Sequence, residues 1–181
     1  TLAAAILSLT ACGSGDSANT STIASITNEA SVTASTVNGE VPYTFFDDTV
    51  FVGDSVSLKL NLYVSAQRKM DSTFMGTAQF LTPGSYGTGN ELKELGSENS
   101  VHPSYNGTEM YLADAIEAMG AKKVFIMLGM NDIAVYGNDG AVKNMETVLA
   151  QIKEKNPDTA IYVQSMTPIV GTAQNGSLTN E

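Results

Sequence analysis

From Thr49 onward, apolar and polar residues alternate in two periods, and the alternation predicts strands and helices in turn. Thr49-Val50-Phe51-Val52-Gly53 is a short β-branched and aromatic run that stops at Gly53-Asp54-Ser55, which predicts a buried strand over about 49–53. Val56 to Met70 carries Leu58, Leu60, Leu62, Tyr63 and Val64 with no Gly or Pro, predicting a helix. Thr77 to Thr82 predicts a second strand, followed by the glycine-rich turn Pro83 to Asn90. From Thr108, the residues Met110, Ala113, Ile116 and Met119 recur at helical spacing, and Gly120 stands where a helix-ending glycine belongs. Lys123 to Leu128 is the most continuous apolar run and predicts a central strand, ending at Gly129-Met130-Asn131-Asp132. A helix follows over about 141–155, with Val142, Met145, Val148, Leu149 and Ile152 on one face and Asn156-Pro157 as its stop. Ala160 to Ser165 predicts a fourth strand. Strands alternating with helices imply an α/β fold whose mainly parallel sheet gathers its strand tips along one edge.

The amino end has a different character. Leu2 to Ala11 is an apolar run closing on small residues, as the core of a signal peptide does, and it is too short to span a bilayer. Leu9-Thr10-Ala11-Cys12 resembles the bacterial lipobox, whose cysteine carries the lipid, so Cys12 is expected to be a membrane anchor. Gly, Ser, Thr, Asn and Ala dominate the next stretch, which has no aromatic residue and too little apolar surface to offset chain entropy. The expected organisation is a signal-peptide remnant at 1–11, a flexible tether at 12–41 and a folded domain at 42–181. With no initiator Met and no basic segment before the apolar run, the chain is expected to be cut at its amino end.

Composition narrows the function classes. There are 19 acidic against 9 basic side chains, a net charge of −10, which argues against a nucleic-acid partner because phosphate binding needs clustered Lys and Arg. A solvated acidic surface accounts for the excess. The single cysteine excludes an internal disulfide, and no Cys/His spacing suits zinc, so neither metal nor cofactor is expected. Gly140 and Glu146 have calcium-loop spacing, yet Val135 and Gly137 occupy the ligand positions before them.

Three polar signatures fall at the carboxyl ends of consecutive strands: Ser55, the turn from Gly84 to Gly89, and Asn131. Ester hydrolysis by a serine needs a nucleophile and donors preorganised where the oxyanion develops; losing one donor costs about 10²–10³ in rate. Ser55 offers a hydroxyl and its own N–H, a glycine of the second turn offers a backbone N–H, and Asn131 offers an amide. The alternative role for Ser55 is a turn serine capping the next helix. Asp54 is expected to shape the turn, and Asp132 either orients the Asn131 loop or is a solvated turn residue.

Gly-Asp-Ser and Gly-Met-Asn-Asp together resemble blocks of the SGNH, or GDSL, hydrolase family of serine esterases and lipases, over about residues 48–170. The resemblance implies a flavodoxin-like three-layer α/β/α sandwich, Ser55 as nucleophile and Asn131 as oxyanion donor. It also implies a second-block oxyanion glycine, Gly87 or, one register away, Gly84, with Asp54, Gly129 and Asp132 in support. The family's base is a histidine in an Asp-x-x-His block, which this sequence lacks, so the chain is expected to be incomplete at its carboxyl end and poorly active. The sole histidine, His102, is expected to be a surface loop residue. Two function classes follow. One is an extracytoplasmic, lipid-anchored esterase acting on acyl or acetyl esters of a small molecule or polymer; the other is a non-catalytic surface lipoprotein that binds carbohydrate or acylated ligands in the same cleft.

Overall fold

In the computed structural model, residues 41–174 and 179–180 are described. Cys12, the lipobox and the tether up to residue 40 lie outside them. The described elements are β1 (Thr49–Gly53), α1 (Ser55–Gln67), β2 (Gln79–Leu81), α2 (Thr88–Glu91), β3 (Ser104–Tyr105), β4 (Thr108–Glu109), α3 (Leu112–Met119), β5 (Lys123–Met127), α4 (Met130–Lys155) and β6 (Ala160–Val163). Short 3₁₀ turns lie at Tyr43–Phe46 and Gly171–Ala173. Four strands form one all-parallel sheet in the order β2-β1-β5-β6, flanked by helices, the α/β architecture expected from the strand and helix alternation. β3 and β4 make a separate antiparallel ribbon.

The two faces of the sheet are packed differently. Val50 and Val52 of β1 and Val124 and Ile126 of β5 bury against Leu112, Ala115 and Ile116 of α3 and Val148 and Ile152 of α4, forming the core. Burying a side chain of this size is worth about 1.5–3 kcal/mol, which is why both inner strands are apolar almost throughout. Met119 and Met145 pack against that core, as their helical spacing suggests, and Met110 does so from the chain before α3. On the other face the register places Phe80, Phe51, Phe125 and Tyr162 side by side across all four strands. Their rings stack with centroids 5.3, 5.2 and 4.7 Å apart, a cross-strand ladder that pins the register.

Several boundaries differ from expectation for local reasons. Thr108 and Glu109 pair with Tyr105 and Ser104, so the helix begins at Leu112; Gly120 ends it in the left-handed conformation as expected. The last helix starts at Met130, well before 141, and contains a break at Gly137, whose φ of 67° and ψ of 177° separate two helical segments. In α1 the leucines are not the inward face: Ser57 and Val64 are buried, while Leu60, Leu62 and Tyr63 are exposed.

Arg68, one residue past α1, holds the connection to β2. Its guanidinium donates to the carbonyls of Phe74 at 2.9 Å, Gly76 at 3.0 Å, Ala78 at 2.9 Å and Met75 at 3.4 Å. A planar fork can span several carbonyls where a single ammonium cannot. Arg68→Ala is therefore expected to lower stability by about 2 kcal/mol in urea unfolding, and Arg68→Lys to restore less than half of that; full rescue by lysine would contradict the account.

Candidate active site

The site assembles where the chain reverses its direction across the sheet, between β2, β1 and β5, the position at which open α/β sheets bind ligands. β1 ends in Gly53, and Asp54 caps α1 by accepting from the Val56 N–H at 2.8 Å. The cap is thus Asp54 and not Ser55, which leaves Ser55 exposed on the first turn of α1, its hydroxyl in no hydrogen bond among the described residues. Asp54 shapes the turn, as its position suggested.

Two residues past β5 stands Gly129, whose φ of 131° is outside the range of ordinary residues, and this turns the chain directly into α4. Asn131 and Asp132 consequently sit in the first helical turn instead of a free loop. The Asn131 amide donates to the Tyr86 carbonyl at 2.9 Å and lies 3.3 Å from Asp54 Oδ2. Asp132, only 1% exposed, accepts from the N–H groups of Thr88 at 2.9 Å and Gly89 at 2.7 Å. It is therefore no solvated turn residue: its carboxylate ties the tip of β5 to the turn after β2.

That grip sets the two candidate glycines apart. Gly87 is buried, and a Cβ there would lie 2.8–3.0 Å from the Asp132 carboxylate, so only glycine fits. Gly84 is exposed with open space around it. The Gly87 N–H is free of any hydrogen bond among the described residues, because α2 begins just after it. The turns that carry Ser55 and Gly87 are thus linked through Asn131, whose amide bonds both Asp54 Oδ2 and the Tyr86 carbonyl. Among the described residues, no three His, Cys, Asp or Glu side chains gather as a metal site.

His102 is not the surface residue expected from its loop and the proline after it. It is 4% exposed, stands edge-on to Tyr111 with ring centroids 5.2 Å apart, and places Nδ1 3.4 Å from Glu91 Oε2 without hydrogen-bond alignment. Glu91, equally buried, accepts from the Tyr86 hydroxyl at 2.8 Å and the Leu112 N–H at 2.6 Å. The group lies behind the Tyr86 carbonyl that holds Asn131. Neither Glu91 nor Tyr86 stood out in the sequence; the glycine-rich turn drew attention to its backbone, and the partners of these side chains lie on other elements.

Comparison of the chain with family models, with characterised proteins and with solved structures finds no match.

Burial pushes the Glu91 carboxyl above its ordinary value of 4.5, while the Leu112 N–H, the Tyr86 hydroxyl and His102 pull it back. Burial, and then the Glu91 charge, push the Tyr86 hydroxyl well up. A raised carboxyl favours folding fully below 4.5, and that contribution is lost as pH rises through its folded value. Glu91→Gln, which keeps an acceptor for Leu112, is therefore expected to gain stability relative to wild type as pH rises from 4.5 to neutral. Glu91→Ala strands the Leu112 N–H and the Tyr86 hydroxyl and is expected to cost about 2 kcal/mol. Parallel stability–pH curves for wild type and Glu91→Gln would refute this.

Proposed function

We propose that this chain is an extracytoplasmic serine ester hydrolase, anchored by lipid at Cys12, that cleaves acyl or acetyl esters through an acyl-enzyme on Ser55. The observation that carries this is the gathering at one sheet edge of an exposed, unengaged Ser55 hydroxyl and an Asn131 amide that bonds both Asp54, beside Ser55, and the Tyr86 carbonyl, beside Gly87.

Ser55 Oγ attacks the ester carbonyl carbon. The developing oxyanion accepts from the N–H groups of Ser55 and Gly87 and from the Asn131 hydrogen that now faces Asp54, while the other Asn131 hydrogen stays on Tyr86. The start of α1 adds the positive end of a helix dipole. Collapse breaks the bond to the alcohol oxygen, which leaves with the proton taken from Ser55. Water then attacks the acyl-enzyme and releases the acid. Among the described residues the His102 imidazole lies against Glu91 and Tyr111.

That same observation favours a second reading, a surface lipoprotein that binds carbohydrate or acylated ligands in this cleft without turning them over. The product of the complete gene separates the two. Hydrolysis of p-nitrophenyl acetate that falls by at least about 10³-fold in Ser55→Ala, with the fold intact by circular dichroism, is the expected result; saturable ligand binding without turnover would establish the binder. Palmitate labelling in cells is expected to disappear in Cys12→Ala, and labelling that persists would remove the anchor.

A further inference from the structure

Beside the site, α4 and the chain after β6 enclose a groove of about 310 Å³. Its walls include Leu128, Ile133, Ala141, Val142, Met145 and Met166. Asn138 and Glu146 are the polar side chains that touch it, and both are exposed. A smaller hollow shares Leu128 and Met166 with this groove and reaches Asp54 and Val56, the residues on either side of Ser55. Leu128 and Met166 are thus walls common to both, which sets the groove beside the nucleophile's turn.

Two features shape the groove. Gly129 forms part of the wall, and a Cβ there would lie 3.0 Å from Met166 Sδ, so the glycine lets Met166 lie against the tip of β5 as a wall common to both hollows. The break at Gly137 divides α4 so that Ile133 on the first segment and Ala141, Val142 and Met145 on the second line one groove. Methionine walls suit a flexible ligand because the thioether side chain adapts its shape.

We propose that this groove holds the hydrocarbon of a medium-length acyl chain, with the ester carbonyl at Ser55 and the alkyl tail running along α4. This rests on the ester-hydrolase reading for the carbonyl's placement, and it sets the substrate class as medium-chain acyl esters in preference to acetyl esters. A carbohydrate fits poorly, because a sugar's hydroxyls would lie against carbon with few partners. A methylene that leaves water gains about fourfold in binding, so selectivity for tail length is the signature of such a groove.

The groove is tested first by binding, on the chain carrying Ser55→Ala. Dansyl-aminoundecanoate is expected to bind saturably and to be displaced by octanoate but not by acetate. Val142→Asp, at an exposed position on the groove wall, is expected to weaken binding at least tenfold. Val135→Asp, equally apolar and exposed on the same helix but outside the groove, is expected to leave binding within twofold. No saturable binding, or equal weakening by both substitutions, would overturn the groove.

The product of the complete gene is then assayed with p-nitrophenyl octanoate and acetate. A kcat/KM at least tenfold higher for octanoate, lost in Val142→Asp while acetate turnover persists, supports the assignment. Turnover of both esters without preference removes the groove and leaves the hydrolase reading standing. Probe binding with no turnover of either ester does the reverse.

Discussion

The structure of this site depends on one buried carboxylate. Asp132 accepts two backbone hydrogen bonds from the start of α2, where the turn after β2 ends, and in doing so links two strand ends that are not neighbours in the sheet. A buried carboxylate is costly unless its lone pairs are occupied, and two aligned N–H groups occupy them without a cation. The same constraint requires glycine at position 87, since a side chain there would strike the carboxylate.

A second carboxylate makes the complementary link. Asp54 caps α1 with one oxygen and meets the Asn131 amide with the other, so the ends of β1 and β5 are tied as well. In this arrangement Ser55 is spared the capping role, and its hydroxyl remains available. Asn131 is held from the opposite side by the Tyr86 carbonyl, and Tyr86 is held by Glu91, which also takes the first N–H of α3. The position of Asn131 is thus set by interactions inside the domain and does not need a ligand.

Much of this was legible in the chain, and the exceptions share a cause. The apolar runs of β1 and β5 were clear because buried parallel strands need both faces apolar, and Gly120 was clear because its cap is a local requirement. Ser55, Gly87 and Asn131 were legible because strand ends in such a sheet share one edge. What failed was non-local. His102 reads as a surface residue until Glu91 and Tyr111 close around it, and the two readings of Asp132, orienting its loop or a solvated turn, separate only when Thr88 and Gly89 supply its partners. The leucines of α1 suggested a buried face, but the buried positions are Ser57 and Val64, set by how the helix leaves the β1 turn. The early start of α4 was hidden by Gly137, a break that one-dimensional periodicity treats as an end.

The account's central claim is that Ser55 faces an oxyanion site built by three strand tips. A crystal structure of the complete gene's product after reaction with diisopropyl fluorophosphate tests it directly. The prediction is a phosphoryl adduct on Ser55 whose P–O oxygen lies about 2.7–3.1 Å from the backbone nitrogens of Ser55 and Gly87 and from Asn131 Nδ2. An unmodified Ser55, or an adduct whose oxygen points away from Gly87 and Asn131, would contradict it.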